Sequence, residues 1–424
     1  MDNRYIPRLI DTVLERKLRA HGAVLLEGCK WCGKSTTAAM QARSILELQN
    51  PETRGDNIEL AKTKPSILLE GEKPRLIDEW QDAPVIWDAI RYDLDKSRLK
   101  GQYILTGSAT PVTEAPMHSG TGRIVRLTMR PMTLLESGDS TGEVSLARLF
   151  DGALDVSGRS KYDIEGYAYL CARGGWPDSI VNPPEDAVEV AAEYINAVVE
   201  NDVGSIDEAL HSPSKMRLVI RSIARNISVP TNITTIYGDT KNEANVASVS
   251  DKTVKAYLDV LERLHIRDDV EAWSPQLRSK TEIRTSSKLN LVDPSLAVAA
   301  LFANERDLIK DFSTFGLIFE SLCTRDLKVY AQYLGGEVMY YRDGAGLECD
   351  NIIHLRDGRW AAIEVKLGSS DRIDEGAENL KALEKKIDVD RVGAPVFKMI
   401  LTATEHAYRR EDGIFVVPIG CLGV

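Results

Sequence analysis

One stretch constrains this chain more than any other: the apolar run Ala23-Val-Leu-Leu-Glu27, then Gly28-Cys-Lys-Trp-Cys-Gly-Lys-Ser35, then small, helix-compatible residues to Ala42. A short apolar run followed by a glycine loop and a helix is the context a phosphate-binding loop needs. The glycines let backbone N–H groups turn inward around phosphate oxygens, and the helix N-terminus adds partial positive charge. The pattern predicts an ATP site built from Gly28, Cys29, Lys30, Trp31, Cys32, Gly33, Lys34, Ser35 and Thr36. Lys34 reaches the β- and γ-phosphates and the Ser35 hydroxyl sits on Mg²⁺. Cys29 and Cys32 form a CxxC, which elsewhere reads as half a zinc site or a redox pair. No second CxxC or suitably spaced His pair accompanies it, so the pair reads as two small side chains at variable loop positions.

Arg75-Leu-Ile-Asp78-Glu79 is a short apolar strand ending in two acids. The strand beside a phosphate loop delivers an Asp to Mg²⁺, which assigns Asp78 as cofactor-binding and metal-holding alongside Ser35. Glu79 is then placed to polarise the attacking water as general base. Tyr103-Ile-Leu-Thr106-Gly107-Ser108 is a further strand ending in hydroxyls. Ser108 is the expected contact to the γ-phosphate or lytic water, against the plainer reading of a Gly-Ser turn. Arg123, Arg126 and Arg130 follow, and Arg123 is the candidate arginine finger, with surface ion pairing the simpler account.

Taken together, GCKWCGKS, RLIDEWQ, ILTGS and Gly122-Arg123 resemble the prokaryotic AAA+ ATPases that carry a DUF4143 C-terminal region. GGWPDS at Gly174 to Ser179, YINAVVENDV from Tyr194 and GLIFESL from Gly316 resemble later landmarks of that family, so the likeness spans nearly the whole chain. The resemblance implies an α/β fold: an AAA+ core over residues 1–135, a helical lid over 136–210, a winged-helix-like segment over 211–300 and a restriction-endonuclease-like α/β domain over 301–424. No lid arginine stands out as a second sensor, which points to slow or partner-dependent hydrolysis. A homo-oligomer follows only if Arg123 acts in trans.

The residues of the middle third agree with helices. AVEVAAEYINAVV is apolar on one stripe, and Ser250 caps the amphipathic run DKTVKAYLDVLERL. Strand-like pairs around Ile266 to Trp273 and Lys288 to Val292 complete a winged-helix order. In a DNA-binding version the second helix enters the major groove. Here Lys252, Lys255 and Arg263 are countered by Asp251, Asp259 and Glu262, which favours protein docking or packing over DNA contact.

The last third holds a second constellation. Leu347-Glu-Cys-Asp350-Asn-Ile-Ile-His-Leu reads as a strand, Asp357-Gly358 as a hairpin turn, and Ala361-Ala-Ile-Glu364-Val-Lys366 as the returning strand. Alternation puts Glu364 and Lys366 on one face, where pairing brings them near Asp350. Two carboxylates suit Mg²⁺ and a Lys suits charge stabilisation in phosphodiester attack. This is the PD-(D/E)xK arrangement, with Glu320 the helical acid that such folds add. The expected metal set is Glu320, Asp350 and Glu364, with Lys366 catalytic. His354 and His265 read as ordinary strand or loop residues. The sequence therefore predicts an ATPase coupled to a metal-dependent nuclease-like domain acting on DNA. The alternative is an ATP-dependent binding switch whose C-terminal domain docks a protein or nucleic acid without cutting.

Composition narrows the setting. A formal charge of −11 argues against a whole-chain nucleic-acid coat. No run approaches the ~20 apolar residues that cross a bilayer. The polar N-terminus and six scattered Cys suit a reducing cytoplasm.

Overall fold

The computed structural model describes residues 5–107, 122–202, 212–241, 250–275 and 286–424. The chain divides into two compact units, Met1–Pro131 with Leu261–Ile266, and Met132–Val260 with Arg267–Val424.

The first unit is built on a five-stranded parallel sheet. In chain order its elements are α1 (Leu9–Ala20), β1 (Ala23–Glu27), α2 (Lys34–Gln41), β2 (Ser44–Glu47), α3 (Arg54–Thr63), β3 (Arg75–Asp78), α4 (Val85–Ser97), β4 (Tyr103–Gly107) and β5 (Ile124–Thr128). The strand order is β2-β3-β4-β1-β5, and every pairing is parallel. A parallel strand covered on both faces must be apolar throughout, which is why Ala23 to Leu26 read as a continuous run rather than an alternation. Leu25, Ile77 and Leu105 from adjacent strands pack with Trp80, Trp87 and Ile90 in one core. This order corrects one expectation. The strand beside β1 is β4, and Asp78 comes from β3, one position further out. A parallel crossover has to clear the intervening helix, so chain neighbours need not be sheet neighbours.

The second unit opens with β6 (Val144–Ser145), α5 (Leu146–Phe150) and β7 (Gly158–Arg159). A helical stretch follows: α6 (Ile164–Arg173), α7 (Pro177–Val181), α8 (Pro184–Ala187), α9 (Glu189–Ala197), α10 (Pro213–Arg225), α11 (Ile233–Lys241), α12 (Asp251–Arg263, in this unit as far as Val260), α13 (Pro294–Ala300) and α14 (Glu305–Lys310). Flanking α11 and α12, antiparallel bridges join Pro230 and Val270 to Lys288, and Arg267 to Leu291.

Helix α15 (Phe312–Leu334) then runs through the unit's interior. Asp311 caps it, accepting from Ser313 N at 3.1 Å and Thr314 N at 3.2 Å, and Gly335 ends it at φ 82°. It leads into an antiparallel meander of β8 (Gly336–Arg342), β9 (Glu348–Leu355) and β10 (Trp360–Lys366), then α16 (Ser370–Lys386), α17 (Val389–Val392), β11 (Lys398–Thr402), β12 (His406–Arg409), β13 (Phe415–Pro418) and β14 (Leu422–Gly423). The predicted turn joins β9 to β10, with Gly358 at φ 91°. The seven-stranded sheet has the order β7-β12-β13-β11-β10-β9-β8, with β10 parallel to β11 across the α16 crossover. Strand β14 pairs separately with β6. No helix among the described residues is long and apolar enough to cross a membrane.

Candidate functional site

In the first unit, β1 ends at the glycine loop and α2 begins on its far side. Gly28 stands at φ 155°, and a Cβ there would lie 2.2 Å from Met129 O, so no other residue fits. Gly33, at φ 96°, turns the loop into α2, and Lys34 and Ser35 follow in the first helical turn. The Lys34 ammonium donates to Cys29 O at 2.7 Å, across the loop it belongs to. Arg8 braces the loop from outside, donating to Cys32 O at 3.0 Å and Arg130 O at 2.8 Å. Trp31 and Thr36 lie on the exposed side of the loop and Lys30 is half-buried, whereas Cys29 and Cys32 are fully buried free thiols. A hydrogen bond with Cys29 lowers the Cys32 pKa to about 6 against the opposing effect of burial, with Lys34 adding to the fall.

At the mouth of the loop the Ser35 hydroxyl donates to Asp78 Oδ1 at 2.7 Å. Thr106, fully buried on β4, donates to the same Asp78 oxygen and accepts the Glu79 N–H at 3.3 Å. Glu79 holds a left-handed backbone at φ 54°, and its carboxylate accepts from the Gln81 side-chain amide. A left-handed non-glycine residue is strained and persists where its surroundings fix it, here directly after the strand that carries Asp78. A hydroxyl and a carboxylate in contact beside an anion-binding loop are donors that fit Mg²⁺.

The structure thus gathers Lys34, Ser35, Asp78 and Glu79 around one loop. Ser108 lies outside the described residues. Arg123 donates to Asp95 at 2.6 Å and Arg126 to Glu27 at 2.6 Å. Sequence reasoning missed Thr106, although its segment was singled out: its hydroxyl meets Asp78.

In the second unit the acids and lysines of α15, β9 and β10 come together. Lys366 Nζ lies 2.8 Å from Glu364 Oε2 and 3.8 Å from Asp350 Oδ2, and Asp350 Oδ2 also accepts the Val365 N–H at 2.8 Å. Glu320 joins them from α15 through Lys288, a residue that no motif marks. Lys288 Nζ lies 2.8 Å from Glu320, 2.9 Å from Glu348 and 3.4 Å from Asp350. Its side chain is 1% exposed. The signal was a lone cation inside the apolar strand-like run Lys288-Leu-Asn-Leu-Val292.

Charge and burial divide the group. Burial works against the Lys288 ammonium, but Glu320, Asp350 and Glu348 outweigh it and hold its pKa well above the lysine range. Burial, reinforced by Asp350, lifts Glu320 to about 8 despite Lys288. Burial and Asp350 likewise push Glu364 well above the carboxylate range. Burial would raise Asp350 too, but Lys288 and Lys366 bring it below its ordinary value. Glu364 Oε1 is buried with no hydrogen-bond partner.

These acids have the oxygen chemistry of a Mg²⁺ site but not its arrangement. Among the described residues no group of three or more His, Cys, Asp or Glu side chains is disposed to hold a metal ion. Both Asp350 oxygens already carry cationic or N–H donors, and an ammonium stands between Asp350 and Glu320. As held here, the set does not fit a divalent cation.

Comparison with known proteins agrees with the first unit's geometry. The family described as AAA domain matches residues 20–137, so this region is an AAA-type ATPase domain. The family described as Domain of unknown function (DUF4143) matches residues 315–422, and Domain of unknown function (DUF8612) matches residues 164–307. Uncharacterized proteins of Mycobacterium tuberculosis and Mycobacterium bovis are each 22% identical over 413 residues, covering 96% of this chain and 82% of theirs. Among solved structures, the Aeropyrum pernix ORC2 protein is 12% identical at a TM-score of 0.32, covering 73% of this chain and 96% of its own. The Aeropyrum pernix ORC1 protein in complex with DNA is 14% identical at a TM-score of 0.24, covering 71% of this chain and 94% of its own. Likenesses that weak carry no weight here.

Proposed function

We propose that the chain binds and hydrolyses ATP at the Gly28–Ser35 loop and uses that cycle to govern a nuclease-like scaffold in its second unit. The contact of Ser35 with Asp78 carries the ATPase reading, because it joins loop and acid where a magnesium nucleotide needs both. Loop amides and Lys34 would hold the phosphates. Ser35 and Asp78 would hold Mg²⁺, which when bound offsets phosphate charge. Glu79 would orient and deprotonate the attacking water, with Gln81 fixing its carboxylate and Thr106 fixing Asp78. Arg123 would serve as a finger only after leaving Asp95. Loss of ATP turnover in Lys34→Ala, with turnover intact in Arg372→Ala of the second unit, tests this reading.

The nuclease-like reading draws support from the order α15, three-strand meander, α16, parallel β11, with Asp350, Glu364 and Lys366 on facing strands. Lys288 favours the second reading, in which the unit docks a protein or nucleic-acid partner under nucleotide control without cleaving it. Plasmid and single-strand digestion with Mg²⁺ or Mn²⁺, with and without ATP, separates the two. Metal-dependent cutting lost in Asp350→Ala upholds cleavage. Intact DNA, with partner retention that follows ATP, upholds docking.

A further inference from the structure

Four carboxylates converge in the second unit: Glu320, Glu348, Asp350 and Glu364. Acids this close need a counter-charge or a retained proton inside the cluster, because burial removes the water that would screen them. Lys288 meets three of the four acids with one ammonium, and Lys366 meets Asp350 and Glu364 with another. Arg342 reaches Glu348 from the far side at 3.2 Å.

Lys288 is not a loose side chain that happens to fall there. Its backbone exchanges both hydrogen bonds with Val270, at 2.9 and 3.0 Å, and its Nζ lies 5.5 Å from the Tyr340 ring centroid. The main chain that carries the ammonium is therefore anchored. A cavity of about 760 Å³ opens on the other side, lined by Glu320, Asp350, Lys366, Ser369 and Arg372. Lys288 does not line it.

We infer that Lys288 is the resident cation of this acid cluster and keeps divalent metal out of it. The inference rests on the nuclease-like reading of the second unit, since it concerns the same acids. A divalent ion shared by Glu320 and Asp350 would stand within a few ångströms of the ammonium, with little water to screen the repulsion. The ammonium would have to leave first, and its ion pairs with Glu320, Glu348 and Asp350 oppose that. The cavity then meets its ligands with Lys366 and Arg372 in front and a neutralised acid floor behind.

Mn²⁺ titration followed by electron paramagnetic resonance, on the full chain without nucleotide, decides the matter. Wild type and Lys288→Arg are expected to take up no Mn²⁺ that Asp350→Asn removes. Lys288→Met is expected to gain one Asp350-dependent site, at least about tenfold tighter than any in wild type. If Lys288→Met does not fold, as judged by its melting transition, Lys288→Gln takes its place with the same expectation. Asp350-dependent Mn²⁺ uptake by wild type overturns the inference and leaves the nuclease-like reading standing. Folded Lys288 variants that gain no site overturn both, because the acids would then lack a metal's arrangement even when released.

Discussion

Ser35 Oγ donates to Asp78 Oδ1 at 2.7 Å, joining the first turn of α2 to the end of a strand that is not the loop's neighbour in the sheet. The bond spans the place where a magnesium nucleotide would need ligands from both elements. Asp78→Asn and Ser35→Ala should therefore retain ADP within about tenfold while losing at least about 100-fold in ATP turnover. Fluorescent-ADP binding and phosphate release check the pair. Full turnover in Asp78→Asn would remove Asp78 from the site.

Lys34 contributes charge where Ser35 and Asp78 contribute geometry. Its ammonium reaches back over the loop to Cys29 O, so it already points across the cradle. Lys34→Ala should weaken ATP and ADP alike by at least about 100-fold, because the loop amides would face the phosphates without it. Isothermal titration calorimetry of both nucleotides provides the measurement.

Thr106 tests whether the second layer of this site matters. Its hydroxyl donates to Asp78 and accepts from the Glu79 backbone, so it fixes the two acids relative to one another. Thr106→Val keeps the volume and β-branching but removes the hydroxyl. The variant should lose roughly tenfold in kcat with KM nearly unchanged, and Thr106→Ser should recover most of it. A rise in KM alone would mean that Thr106 acts on substrate binding instead.

The loop was legible in the sequence because its physics is local. Strand, glycine turn and helix lie within twenty residues, Gly28 stands where no side chain fits, and Gly33 holds a left-handed backbone that favours glycine. The Asp350–Glu364–Lys366 grouping was legible for a similar reason, since a hairpin of known turn and period brings its faces together. Lys288 was not. It reaches the acids from a segment more than thirty residues before the nearest of them, and nothing local marks one lysine in an apolar run as an internal counter-ion. The position of β4 between β1 and β3 was also hidden, because chain order leaves sheet order open.

A second buried ion network should govern stability rather than chemistry. Arg325, 2% exposed, donates to Asp293 at 2.8 Å and Asp326 at 2.7 Å, and Asp326 also accepts the Leu134 N–H at 2.9 Å. Removing the guanidinium leaves two buried carboxylates without a counter-charge, held only by N–H and O–H donors. Arg325→Met should cost about 3–5 kcal/mol in urea unfolding of the second unit, and Arg325→Lys should recover only part, because an ammonium lacks the fork that spans both acids. A loss below about 1 kcal/mol would show that water or rearrangement satisfies the acids.

Glu320 gives the pH test of the acid cluster. Burial, with Asp350 beside it, raises its pKa to about 8 in the folded chain, against an ordinary 4.5. The folded state therefore holds a proton that the unfolded state releases between those values, and stability falls as pH rises through that window. Glu320→Gln mimics the protonated side chain at every pH. At pH 4.5 and below the two proteins should melt nearly together. From pH 5 to about 8 the variant should gain steadily on wild type, and above that the difference should level off, because the wild-type carboxyl is then ionised in both states. Thermal melts of both proteins at half-unit pH steps supply the curve. A constant difference across that range would mean that Lys288 holds the Glu320 carboxylate ionised throughout, and that the cluster balances its charge through ammonium alone rather than through a retained proton.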